Sequence, residues 1–137
     1  MTTWTIALPP GYRADPARGL FLCGANASLH RMVRARITRE IRSATEIIAR
    51  AEKLPPMTAP VAILAVQHPA LTGRACDTDN IAPLVKPMID GLRDAGVLVD
   101  DNPARVIEVR YTVGERRAGG QLVLHLTTTG EDESAAA

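Results

Sequence analysis

The chain reads as an α/β protein of the α+β two-layer kind, a mixed β-sheet with two helices in the order β-α-β-α-β-β. Three observations predict that class. Residues 28–53 repeat apolar side chains at spacings of three and four, the period of an amphipathic helix. Val61-Ala62-Ile63-Leu64-Ala65-Val66 is an unbroken apolar run of strand length, as a central strand covered on both faces requires. Arg105 to Val113 and Leu122 to Leu126 alternate, the period of a half-buried strand. Strands interleaved with helices predict a sheet with the helices packed on it.

Each element follows from local chemistry. Trp4-Thr5-Ile6-Ala7-Leu8 alternates and meets Pro9-Pro10-Gly11, so it reads as a short strand ended by a turn. Residues 11–27, rich in Gly, Ala, Arg and Pro, read as loop with a short extended piece at Leu20-Phe21-Leu22. The first helix takes Ser28 as its cap, and Val33, Ile37, Ile41, Ala44, Ile48 and Ala51 form its apolar stripe. At about 100° per residue, Arg31, Arg36, Arg39, Arg42 and Arg50 fall on the other side. Leu54-Pro55-Pro56 ends it. A second helix is expected within residues 81–95, closed by Gly96. In the next strand Ile107, Val109, Tyr111 and Val113 share one face. Gly114 to Gly120 reads as a loose hairpin loop into Leu122, Leu124 and Leu126.

Length and composition set the frame. The chain has 137 residues, 46% of them hydrophobic and 23% charged, which is one globular domain able to bury its own core. Residues 1–129 are read as that domain and residues 130–137, with Glu131, Asp132 and Glu133, as an acidic disordered tail. No apolar run approaches ~18 residues, so no membrane helix is expected. Met1-Thr2-Thr3-Trp4 lacks the pattern of a signal peptide, and two cysteines, Cys23 and Cys76, suggest no disulfide framework. A cytoplasmic protein is the expectation. Only Trp4, Tyr12, Phe21 and Tyr111 are aromatic, too few for a surface that stacks single-stranded bases.

The net charge of +1 hides a segregation. Residues 28–54 carry seven basic groups against three acids, and residues 77–101 carry six acids against two bases. A basic surface beside an acidic cluster suits a metal-dependent enzyme acting on a polyanion.

The acidic stretch is the most informative. Asp77 and Asp79 are two apart, so in extended chain their carboxylates point the same way. Gly96 ends the helix that follows, and Asp100-Asp101 comes within five residues. If that helix folds back, carboxylates from both segments make an all-oxygen site, which suits Mg²⁺ or Mn²⁺ and not Zn²⁺. Lys86 shares a helix face with Asp90 and is placed to reach a phosphate or its attacking water. A plainer reading stands beside this one. Asp-x-Asp-Asn before a helix is a common cap, Asp100-Asp101-Asn102-Pro103 a common turn, and Lys86–Asp90 an ordinary surface pair.

In order, the stretch runs Asp77-Thr78-Asp79-Asn80, Lys86, Asp90-Gly91-Leu92, Ala95-Gly96, Asp100-Asp101. This resembles the signature of the RusA-type Holliday junction resolvases: Asp-x-Asp-Asn, a Lys, Asp-Ala-Leu, Ala-Gly and an Asp-Asp pair. The ordered set is far more specific than any piece of it. Weaker likeness extends over residues 4–127, through the Leu8-Pro9-Pro10 strand end and the Arg-rich helix. Leu29-His30 ahead of that helix is similar to the branch found in actinobacteria and their phages. Two features depart from the pattern. Three extra residues precede Lys86, and Cys76 stands where some relatives carry a basic residue.

The resemblance implies a Mg²⁺-dependent endodeoxyribonuclease, with Mn²⁺ as a substitute, that acts as a homodimer on branched DNA and nicks a four-way junction in pairs. Carried over by position, Asp77, Asp79 and Asp101 are the catalytic, metal-binding carboxylates and Lys86 the catalytic lysine. Asp90 and Asp100 stand where the family has supporting acids. Arg31, Arg34, Arg39 and Arg42 are the expected DNA contacts, by attraction to phosphates. A DNA-binding protein of the same fold without nuclease activity is the alternative. His30, His68 and His125 have no zinc-ligand spacing. Arg116-Arg117 reads as a solubilising loop, and Cys76 beside carboxylates as no nucleophile.

Overall fold

The computed structural model describes residues 2–12, 31–72, 78, 81–99 and 105–128. Their elements are β1 (Thr2–Ala7), α1 (Arg31–Ala51), β2 (Val61–His68), α2 (Ala82–Asp94), β3 (Val106–Val113) and β4 (Gln121–Thr128). This is the expected order, and the architecture is a mixed four-stranded sheet with two helices. The Ser28 cap, the extended piece at residues 20–22 and the acidic tail lie outside the described residues. Among the described residues no helix is long and apolar enough to cross a membrane.

The sheet order is β1-β4-β2-β3. β4 runs antiparallel to both neighbours, so Leu124 sits between Ile6 of β1 and Ala65 of β2. β2 and β3 are parallel, with Ile63 beside Val109 and Ala65 beside Tyr111. One face of the sheet packs on the helices. Ile6, Ile63, Leu122, Leu124 and Leu126 join Ile37, Ile41, Leu84, Met88 and Leu92 in one buried cluster.

The structure corrects four expectations. First, β3 and β4 do not form a hairpin, because β2 lies between them. The 114–120 segment is a crossover that clears two strand spacings, about 10 Å. It is tied to the end of β2 by Gly114 N–H to Gln67 O at 3.0 Å and Arg117 N–H to Pro69 O at 2.8 Å.

Second, Thr45 and Ala49 join Ile37 and Ile41 as the fully buried residues of α1, Val33, Ala44 and Ile48 pack half-buried against the core, and Ala51 is exposed. α2 crosses α1 at this stripe and selects small residues there. The Thr45 hydroxyl is satisfied within the helix, donating to Ile41 O at 2.8 Å.

Third, β2 is interior to the sheet but incompletely covered, since Ala62 and Leu64 are only half-buried on the face away from the helices. Fourth, the apolar face of β3 is not core. Ile107 is 56% exposed, Tyr111 36% and Val113 37%, because β3 is an edge strand.

α2 keeps two prolines. Pro83 falls in its first turn, where a missing N–H costs nothing. Pro87 is buried inside the helix and cannot donate to the Pro83 carbonyl, which belongs to an exposed residue. Gly96 follows with φ 80°, the left-handed conformation that ends a helix.

Candidate functional site

α2 connects the His68 end of β2 to the Val106 end of β3, because those strands are parallel. Thr78 lies just ahead of its N-terminus, where Ile81 N–H reaches Thr78 O at 3.3 Å. Val97 and Leu98 lie just past its C-terminus, both donating to Leu92 O. Thirteen helical residues separate the two ends, about 20 Å at 1.5 Å per residue. Asp77 and Asp79 adjoin Thr78 in sequence, and Asp100 and Asp101 adjoin Val99. All four lie outside the described residues, as do Cys76 and His30. A one-chain site using both segments must therefore be closed by chain outside the described residues.

The cap reading of the first segment rests on Asp77, Asp79 and Asn80, which lie outside the described residues. The N-cap position is Ile81, with no side-chain cap hydrogen bond. A buried aliphatic residue takes the place where Asp or Asn would be expected to stabilise the helix start.

Lys86 and Asp90 are described. Lys86 lies on the second turn, largely exposed, with its Nζ 3.2 Å from Asp90 Oδ1. Arg93 approaches the same oxygen at 3.8 Å. Neither is aligned as a hydrogen bond, so Oδ1 is buried without one while its side chain stays 17% exposed. An orphaned carboxylate oxygen is a costly group to bury, and as a hard oxygen donor it fits Mg²⁺ or Mn²⁺. Among the described residues no three His, Cys, Asp or Glu side chains cluster as a metal site.

The basic helix divides into two parts. Its N-terminal turns overhang the core. Arg31, Met32, Arg34, Ala35, Arg36 and Arg39 are exposed, and only Val33 is half-buried there. No acid stands in the first turn. The positive end of the helix dipole disfavours cations by about 0.3–1 kcal/mol each at low salt. The exposed cations at this end offer a surface that attracts phosphates. Arg36 belongs to the same surface.

Arg42 is placed differently. Its Nε lies 2.5 Å from Asp94 Oδ2 and its Nη2 2.8 Å from Oδ1, a two-pronged clamp between α1 and the last turn of α2. Arg50, which also pairs with Glu46, donates to the Asp94 carbonyl at 2.8 Å. Together they place positive charge on a helix C-terminus, which favours it. The spacing of the arginines gives no hint of this clamp, because Asp94 lies 52 residues away in sequence.

The Arg42 hydrogen bonds hold the Asp94 carboxyl below its ordinary value of 3.8, aided by the charges of Arg42, Arg93 and Arg50. The same bonds raise the pKa of the Arg42 guanidinium. A depressed folded-state pKa gives stability that is complete above 3.8 and is lost as pH falls through the lower folded value. Thermal unfolding from pH 7 to pH 2 should therefore show wild type above Asp94→Asn at neutral pH, with the gap closing below about pH 4. A gap that stays constant to pH 2 would remove the clamp from the acid limb.

The chain matches no protein-family model and no curated protein.

Proposed function

We propose that the protein is a Mg²⁺-dependent endodeoxyribonuclease that resolves Holliday junctions and other branched DNA as a homodimer. The ordered set Asp77-Thr78-Asp79-Asn80, Lys86, Asp90, Ala95-Gly96 and Asp100-Asp101 carries the reading. The overhanging arginines of α1 supply a surface for phosphates.

In this reading Asp77, Asp79 and Asp101 would hold the cation, with Asp90 or Asp100 in support. Bound Mg²⁺ supplies a Lewis acid at the phosphate and a water of lowered pKa. Lys86 donates to phosphate oxygens as negative charge builds there. Water oxygen bonds to phosphorus, the bond from phosphorus to one ester oxygen breaks, and that oxygen takes up a proton. Arg31, Arg34, Arg39 and the neighbouring Arg36 hold the junction arms. Two copies would set two sites across a substrate of near two-fold symmetry.

A second reading is favoured by the pairing of Lys86 with Asp90, an ion pair that engages the lysine on its own helix. The protein would then bind branched DNA and leave it whole. The test is a labelled four-way junction incubated with purified protein in Mg²⁺ or in EDTA. Paired symmetric nicks that need Mg²⁺ are the expected result. Retention on a gel without cutting establishes the binding-only reading, and neither binding nor cutting removes both.

A further inference from the structure

β3 is an edge of the sheet, and no strand among the described residues pairs with its outer side. Sheet edges are normally blunted by Pro, Lys or bulges. The β3 sequence Val-Ile-Glu-Val-Arg-Tyr-Thr-Val has no Pro or Lys, and its one ladder irregularity lies at the Val61 end. From Glu108 to Val113 the strand is regular. Along this regular stretch it exposes Tyr111 and Val113 on the helix side, beside half-buried Val109. On the other side it exposes one acid and one base, Glu108 and Arg110, paired at 2.7 Å with side chains 52% and 68% exposed.

The backbone direction restricts how this edge can pair. Gly114 N–H points to β2, where it meets Gln67 O. In a parallel ladder the inward and outward residues alternate. Glu108, Arg110 and Thr112 therefore turn their backbone groups to β2, and Val109, Tyr111 and Val113 turn theirs outward. An antiparallel two-fold pair centres either on an outward residue that exchanges both bonds with its own copy or on an inward residue that faces its copy without bonds.

We propose that β3 pairs antiparallel with β3 of a second copy of this chain, with the two-fold axis at Val109. In that register Val109 meets Val109, and Tyr111 of each copy lies diagonally beside Val109 of the other, a favourable contact of aromatic with β-branched. Glu108 lies opposite Arg110 in both halves, so the four charges alternate in sign. A register centred one residue later would set Arg110 against Arg110, like charges directly opposite one another. The pairing joins two four-stranded sheets into one. It gives the homodimer proposed above its contact surface, but it is argued from β3 alone and does not depend on nuclease activity.

The experiment reads mass in solution, by light scattering or sedimentation, on the full chain across a range of concentrations. Wild type should be a dimer. Glu108→Arg and Arg110→Glu each set like charges opposite one another and should weaken the dimer by about tenfold or more. Both side chains are exposed, so each variant should keep the wild-type circular dichroism. Mixing the two variants should give a heterodimer, because every 108–110 pair is then of opposite sign, and the double substitution in one chain should restore self-association. A wild-type monomer at every concentration overturns the proposal. So does a dimer indifferent to either reversal, or a mixture that stays monomeric. Junction cleavage is scored separately, so loss of the nuclease reading leaves this result standing.

Discussion

Asp79→Asn should yield a protein that holds a four-way DNA junction and does not cut it. The substitution keeps the size of the side chain and removes one negative charge. A neutral amide is a poor partner for a hard divalent cation, so Mg²⁺-dependent cleavage should fall by at least about 10²-fold. Junction affinity should hold or rise, because one carboxylate no longer repels the phosphates. Cleavage rate and gel-shift affinity, measured together, separate the two effects. Normal cleavage by Asp79→Asn would show that the metal site lies elsewhere. Loss of both binding and cleavage would point to a structural role for the residue.

Gly91→Ala should destabilise the fold, although alanine is ordinarily the better helix former. A Cβ at Gly91 would lie 2.5 Å from the Arg42 carbonyl oxygen, 2.9 Å from Thr45 Cβ and 3.2 Å from the Glu46 nitrogen. Two of these atoms are backbone, so no rotamer change relieves the overlap, and the helices must part. Overpacking of this kind costs about 1–3 kcal/mol, against about 0.5–1 kcal/mol gained by replacing a mid-helix glycine. Loss should win, because parting the helices also stretches the Arg42–Asp94 clamp beside the crossing. The denaturation midpoint should drop with an unchanged slope. The likeness sharpens this test, since the resolvases it points to have Ala in the Asp-Ala-Leu position. Wild-type stability in the variant would mean that α1 and α2 separate at no cost.

Much of this molecule was legible in its residues. The spacing of Ile37 and Ile41 gave the first helix, Gly96 the end of the second, and the run from Val61 to Val66 an interior strand. Lys86 and Asp90, four apart, meet as helix geometry requires. These are local properties, set by the period and by the allowed backbone of each residue. The candidate chemistry was legible in the same way, as an ordered set of acids around one helix. The sequence could not say that α2 would place Thr78 and Val97 at opposite ends of one helix.

The remaining features belong to the tertiary structure. Alternation set Val109, Tyr111 and Val113 on one face, but did not show that the register would slip at Ile107 or that β3 would lie at the sheet edge. Gly114 to Gly120 has the composition of a turn, but only the insertion of β2 made it a crossover. Arg42 reads like any other arginine of α1 until Asp94 is brought to it by the helix crossing at Gly91. Periodicity fixes which side of an element is apolar because it depends on neighbours along the chain. What covers that side, and which distant charge meets which, depends on strand order and helix crossing, and those are decided only when the elements pack.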